Sequence, residues 1–412
     1  MLPHRARPGV LATCLALAAC FVLAPLASAA GPLGPLHTEG GAIVDASGQP
    51  VRLDGVNVTG LAGGLGDTGT TCDYRKGVSP SVAPAVAAAG FNLVRLPVSW
   101  ASLEPTAPTL DDTGQLVHTW NTSYLQTIDA VLAGFAAAGV SVIVDMHQAQ
   151  WSPAFAGVPK ANGGVACEGV GMPRWLYPGT PVGTKPTQAK CEFFLNVARP
   201  GVPVPPQDGL AAAWQVLAAD LAHQPAVVGV DLLNEPGWGG AATGCTATGA
   251  MVDDFFTRVG TAVQQVAPDL LLIEEDGTWS NYAKSGFLLT RPLALQNVVY
   301  SWHLYANDWT VTRWHQQTGQ QQYQAHLNRA RQWQQPFFLG EFDAFRGAYN
   351  RLAKQTDPNW QADLAGLMAD AKANGVSWAL WQWYGGAGGL SLVDPATGQP
   401  KPALLAGLQA GL

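Results

Sequence analysis

Val227-Val-Gly-Val-Asp-Leu-Leu-Asn-Glu-Pro-Gly-Trp238 begins as an apolar run and ends in Asn234, Glu235 and Pro236. A run of β-branched and aliphatic residues reads as a strand covered on both faces, as in a parallel sheet. Proline has no N–H to give a sheet ladder, so the strand stops beside Glu235. A carboxyl therefore stands where a buried strand meets a loop. Far downstream, Pro336-Phe-Phe-Leu-Gly-Glu341 repeats the arrangement. In a (β/α)8 barrel such strand ends form the active-site face.

Working outward from these stretches, strand and helix patterns alternate along the chain. Strand candidates are Leu53–Val58, Phe91–Pro97, Val140–Met146, Val227–Leu233, Leu270–Glu275, Val298–His303, Pro336–Gly340 and Val376–Trp383. Helix candidates lie between them, at Ser81–Ala89, Ser123–Ala138, Gly209–His223, Val252–Val266, Gln321–Gln334 and Trp360–Asn374, with a closing Pro402–Ala410. Glycines at 90, 139 and 375 follow three of these helices, a C-cap signal just before the next strand. No helix is placed within 277–296. Gly41–Asp45 and Val51–Leu53 flank a turn-rich stretch and read as a small hairpin at the bottom of the barrel. The expected fold is α/β: a single TIM barrel with an N-terminal β-hairpin and long active-site loops. The last strand candidate lies close to the end of the sequence, so no second domain is expected.

Composition sets the class. The chain has 412 residues, 48% apolar and 12% charged, which describes a large buried core. Arg5 and Arg7, the apolar stretch Val10–Leu26 and Ala27-Ser-Ala29 read as a cleaved signal peptide over residues 1–30, leaving a catalytic domain over 31–412 and a secreted protein. Leu17-Ala-Ala-Cys20 resembles a lipoprotein signal, but the apolar residues after it argue against one. Of six cysteines, Cys72, Cys167, Cys191 and Cys245 remain after cleavage. An even number in an exported protein favours two disulfides. Cys167 with Cys191 closes the shortest loop, leaving Cys72 with Cys245. No Cys-x-x-Cys or nearby His pair indicates zinc. Loss of Arg5 and Arg7 takes the formal charge from −7 to −9. This disfavours nucleic acid and anionic membranes as partners, and a monomer without stable membrane association is expected.

Polar and aromatic residues gather at one end of the apolar strands. The second strand candidate ends at Arg95 and the third at His147. The fourth carries Asn234 and Glu235, the sixth His303 and Tyr305. The seventh ends at Glu341, and the eighth holds Trp381 and Trp383. Taken singly, each is accounted for by a loop carbonyl to satisfy; together they have a chemistry. Cleaving a glycosidic bond with retention requires one carboxyl to protonate the leaving oxygen and a second to attack the anomeric carbon. Arg95 and Tyr305 suit the stabilisation of an ionised carboxylate. Asn234 suits a sugar hydroxyl and Trp381 the apolar face of a pyranose. Among 15 tryptophans, Trp238, Trp279 and Trp302 sit near strand ends and are better sugar platforms than Trp214 or Trp333.

Phe91–Pro97, Val144-Asp-Met-His147, Leu233-Asn-Glu-Pro236, His303-Leu-Tyr305, Leu339-Gly-Glu341 and Trp378-Ala-Leu-Trp381 together resemble glycoside hydrolase family 5, the family that includes cellulases. The resemblance implies Glu235 as acid/base and Glu341 as nucleophile. Arg95, His147, Asn234, His303, Tyr305 and Trp381 would surround them, with no metal or organic cofactor. Asp145-Met-His-Gln148, followed by Ser152, Phe155 and Trp175, is similar to endoglycoceramidases. Those enzymes carry an acidic residue where this chain has Ala149, and a β-sandwich after the barrel. A β-glucan or β-glucoside is therefore the expected substrate, with a glycolipid second. A barrel that binds sugar without cleaving it, and a transglycosylase, are the competing readings.

Gly64-Leu-Gly66-Asp-Thr-Gly69 matches a dinucleotide fingerprint, but the polar segment after it begins no apolar helix, so it reads as a loop. Asn57 and Asn121 open glycosylation sequons, the first on an expected barrel strand. His315 and His326 read as exposed.

Overall fold

The computed structural model describes residues 1, 31–62, 78, 81–155, 170–181, 183–237, 248–277, 287–305, 318–343, 359–384, 391–394 and 396–412. In chain order its strands are β1 (His37–Glu39), β2 (Ala42–Val44), β3 (Asp54–Asn57), β4 (Leu93–Val98), β5 (Thr109–Leu110), β6 (Leu116–Val117), β7 (Ser141–Met146), β8 (Val227–Asp231), β9 (Leu271–Glu275), β10 (Val298–Leu304), β11 (Phe337–Phe342) and β12 (Ser377–Leu380). Eight of them, β3, β4 and β7 to β12, pair in parallel and close into a barrel. The chain is a (β/α)8 barrel, as the alternating pattern predicts. β5 and β6 form a short ribbon in the loop after the second barrel strand.

Alternation along the strands sorts the apolar residues into two cores. Leu93, Ile143, Val228, Ile273, Val299 and Phe338 come from successive strands and fill the barrel interior. Leu36 and Ile43, from the β1–β2 hairpin, join that inner cluster. The Leu33 N–H donates to Ser141 Oγ and the Thr38 N–H to Asn297 Oδ1, so the hairpin caps the N-terminal ends of the strands. Val94, Val144, Leu272 and Leu339 face the other way and pack with helix residues such as Leu132, Trp214 and Leu367. Helix ends follow local chemistry: Thr318 and Gln321 make a capping box, and Gly375 closes Trp360–Asn374 at φ +65°.

One irregularity decides what the barrel can do. In β11, Phe338 faces inward and Leu339 outward, so strict alternation would send Glu341 outward too. The β10–β11 register shifts here: Trp302 pairs with Leu339, and His303 pairs with Glu341. Gly340 is the extra residue of this bulge, which turns Glu341 inward and Phe342 into the helix-side core. A Cβ at Gly340 would stand 2.9 Å from Ser301 Oγ and 3.0 Å from His303 Nε2, which is why a glycine presses there against β10.

Several boundaries differ from the sequence reading: the N-terminal hairpin pairs His37–Glu39 with Ala42–Val44, and β8 stops at Asp231 and not at Leu233. β4 runs on to Val98, so Arg95 lies within the barrel and not at its rim. β11 runs through Glu341 to Phe342. β12 stops at Leu380, placing Trp381 and Trp383 just beyond it.

Candidate active site

Arg95 is fully buried at the centre of the upper barrel. Its Nε donates to Asp231 Oδ2 at 2.9 Å and Nη2 to Asn234 Oδ1 at 2.9 Å. Nη1 donates to Asn57 Oδ1 at 3.1 Å and Glu341 Oε1 at 2.8 Å. Asp145 Oδ2 stands 3.1 Å from Nη1. Carboxylates in this number can share one buried site only around a cation, and a planar guanidinium offers donors in several directions at once. Burial opposes the charge on Arg95, and the surrounding Asp145, Asp231, Glu341 and Glu275 hold the proton on more tightly than usual.

Glu341 is the carboxyl this centre prepares. The Tyr305 hydroxyl donates to its Oε2 at 2.6 Å, opposite the Arg95 contact. Burial pushes its pKa up to about 7. Arg95 pulls it down, Glu235 raises it, and His147 and the Tyr305 hydroxyl pull it down again. In the nucleophile role expected from the sequence Glu341 would have to be ionised, so this balance has a measurable consequence. Tyr305→Phe removes one donor and makes ionisation harder. The expected result is an acidic limb of the kcat/KM profile displaced upward, with a loss of about tenfold at pH 6 that shrinks as the pH rises. An unmoved limb would show that Tyr305 does not act on Glu341.

Glu235 is built differently. β8 stops at Asp231, and beyond it Glu235, just before Pro236, takes the left-handed conformation at φ +43°. For a residue with a side chain this costs roughly 1–3 kcal/mol and persists only where the surroundings impose it. They do so here: the Glu235 N–H donates to Glu275 Oε2 at 2.9 Å, and Gln148 Nε2 donates to the carbonyls of Glu235 at 2.9 Å and Asn234 at 3.1 Å. The Glu235 side chain is 17% exposed against 5% for Glu341, so it is the carboxyl that reaches the cleft. His303 Nδ1 lies 3.1 Å from Glu235 Oε1 and 3.6 Å from Glu341 Oε2. Those two distances confine the two oxygens to within about 7 Å, a range that includes the ~5–5.5 Å spacing of retaining carboxyl pairs. Burial lowers the pKa of His303, which favours neutral imidazole between the two acids.

The remaining expected residues sort as follows. His147 is buried, with Nδ1 2.7 Å from Asp145 Oδ2, and Trp381 stacks on it at 5.4 Å and 10°. Trp238, Trp279, Cys72, Cys167 and Cys245, the leader, His315 and the 64–69 glycine motif lie outside the described residues. Cys191 is buried and disulfide-bonded. Two expectations are corrected. Trp302 belongs to the helix-side core and stacks on His326 at 4.1 Å, so it is no platform in the cleft. His326, read as exposed, is buried, with Nδ1 2.6 Å from the Tyr300 hydroxyl. Asn57 is buried and donates to the Gly340 carbonyl at 3.0 Å; Asn121 caps the helix Thr122–Ala137.

Several site residues escaped the sequence reading. Asp231 and Glu275 lie two and four residues beyond inward-facing Gly229 and Leu271, so strand parity could have found both. Asp145 was seen only as part of a motif. Lys190, on the helix Thr187–Phe194 of the long third loop, had no signal. Its Nζ lies 3.4 Å from the Gly237 carbonyl and 5.3 Å over the Trp151 ring, and burial lowers its pKa to about 8. The same loop is anchored by Phe193 and Phe194, which meet Phe255 edge-on. Among the described residues, Glu235, Glu275 and His303 bring possible metal ligands within 4.8 Å of one another. Of their side-chain contacts, the one between Glu235 and His303 is a hydrogen bond.

Two carboxyls unequal in burial and partners face one imidazole at the mouth of a parallel barrel, an arrangement suited to acid–base and nucleophilic chemistry. The Cellulase (glycosyl hydrolase family 5) family model matches residues 44–386, and the chain belongs to that family. The chain is 27% identical over 294 residues to endoglycoceramidase I of Rhodococcus hoagii (strain 103S), covering 67% of this chain and 54% of that protein. It therefore spans about half the length of that relative. Its fold resembles the crystal structure of an endogalactoceramidase, with TM-score 0.69 and 24% identity over 91% of this chain and 84% of that one. It also resembles endo-glycoceramidase II from Rhodococcus sp. in complex with a five-membered iminocyclitol, with TM-score 0.67 and 22% identity over 89% and 80%.

Proposed function

We propose that this chain is a glycosidase, that it is exported, and that it cleaves β-glucosidic bonds with retention, by double displacement. Glu341 attacks the anomeric carbon while Glu235 protonates the departing oxygen. Glu235, now a base, then takes a proton from the water that releases the sugar. The observation that carries this reading is the unequal pair. Glu341 is buried and held by Arg95 and Tyr305, whereas Glu235 reaches the cleft, and both face His303 Nδ1. Unequal environments let one carboxyl stay protonated while the other ionises. His147, Asn234 and Tyr305 would bind sugar hydroxyls, with Trp381, Trp238 and Trp279 as apolar platforms. Export rests on the leader-like composition of residues 1–30.

For the substrate, we favour a glycan β-linked to a lipid over a plain glucan. Support comes from the relatives named above, which outweigh the mismatch at Ala149. The test is a panel of glycosphingolipids, cellulose, soluble β-glucans and aryl β-glucosides, with products read by mass. Release of the whole glycan from glycosphingolipid is expected. Glucan oligosaccharides as the sole products would restore the glucan reading. Binding without turnover across the panel would instead support a non-catalytic barrel.

A further inference from the structure

Glu275 ends β9, fully buried, and has no place in the reaction derived so far. Its Oε2 accepts from the Glu235 N–H at 2.9 Å, so it grips the main chain where the backbone is left-handed. Its Oε1 makes no hydrogen bond and lies 3.4 Å from His303 Nδ1, the nitrogen that also faces Glu235. The groups facing Glu275 are Arg95 of β4, Asp231 of β8, Glu235 beyond it and His303 of β10, with Glu341 of β11 across the imidazole. Arg95 is the sole full cation among them, and its closer contacts are elsewhere. Asp145, Asp231 and Glu341 take it at 2.8 to 3.1 Å, and Glu275 Oε2 stands off at 3.8 Å. One guanidinium cannot balance four buried carboxylates, and the one farthest from it is the one that keeps its proton.

Building on the acid/base assignment of Glu235, we propose that Glu275 is a positioning residue that works as a neutral carboxylic acid. Its carbonyl oxygen holds the Glu235 main chain, and its hydroxyl lies beside the His303 imidazole, 3.4 Å from Nδ1. Glu235 must give up a proton in the first step and recover one in the second. A second carboxylate in contact with its main chain would oppose its ionisation, whereas a neutral acid holds the backbone without adding charge. Burial and the Asp231 charge act in the same direction, raising the proton affinity of Glu275 well above that of an ordinary glutamate.

Glu275→Gln keeps one acceptor for the main-chain N–H and an N–H group beside the imidazole, with the same shape and charge as the acid. Its kcat is expected to stay within about threefold of the wild type, with an unmoved pH profile. Glu275→Ala loses the grip and is expected to lower kcat about 10- to 100-fold, with KM little changed. A Glu275→Gln variant as impaired as Glu275→Ala, or one whose pH limbs move, would overturn the proposal, as would a fully active Glu275→Ala. An infrared difference spectrum of wild type minus Glu275→Gln at pH 7 needs no substrate. A protonated-carboxyl stretch belonging to Glu275 is expected; carboxylate bands alone would refute it, whatever the substrate proves to be. If Glu235→Gln turned over like the wild type while that stretch was present, the acid/base reading would fail and the protonation of Glu275 would stand.

Discussion

Glu341→Ala is expected to lower kcat/KM on an aryl β-glucoside by about 10⁴- to 10⁶-fold while the far-ultraviolet circular dichroism spectrum stays unchanged. The loss is large because Glu341 would form the covalent bond itself, and among the described residues no other carboxyl is aimed to replace it. Asp231 and Asp145 are as buried, but both are spent on Arg95. Glu235→Ala should behave differently. With an activated aryl leaving group, which departs without protonation, the first step should be largely spared and the second slowed, so that glycosyl-enzyme accumulates. If Glu341→Ala retained more than a hundredth of wild-type activity on every active substrate, the nucleophile assignment would be abandoned.

Arg95→Met is expected to be the most damaging single substitution for the fold. It removes the cation from a site containing Asp145, Asp231, Glu275 and Glu341, and uncompensated buried charge costs about 3–5 kcal/mol. The sign of the pH effect follows from what those carboxyls then do. Without Arg95 their proton affinities rise further, so the folded state takes up protons that the unfolded chain releases above its ordinary carboxylate pKa. Stability of the variant is therefore retained at acidic pH and lost as the pH rises through neutrality. The difference in thermal midpoint from the wild type should be large at pH 7.5 and clearly smaller at pH 5. A difference that did not shrink on acidification would mean that Arg95 acts through packing and not through charge.

How much of this was legible beforehand depended on the kind of signal. The eight strands were legible because a parallel barrel buries both faces of each strand, leaving long apolar runs such as Val227-Val-Gly-Val and Leu271-Leu-Ile. The approximate places of Glu235 and Glu341 were legible because each follows closely on an apolar run, Glu235 just beyond β8 and Glu341 near the end of β11. The orientation of Glu341 was not, since it depends on a one-residue bulge at Gly340, and a bulge reverses the parity that a sequence pattern assumes. Nor was the left-handed turn at Glu235, which is imposed by contacts from Glu275 and Gln148, residues distant in sequence. His326 was misread because a histidine on a polar helix gives no sign that Trp302 and Tyr300 await it. Lys190 lay in a loop without periodicity, where spacing carries no information.

The central claim is that Glu341 attacks and Glu235 exchanges the proton. Azide added to each alanine variant tests it most directly, through the anomeric configuration of the glycosyl azide formed from an aryl β-glycoside. In Glu341→Ala, azide enters from the face the missing nucleophile occupied and should give the α-azide. In Glu235→Ala, it should take the place of water against the glycosyl-enzyme and give the β-azide. The opposite pairing of products, or the same anomer from both variants, would contradict the assignment.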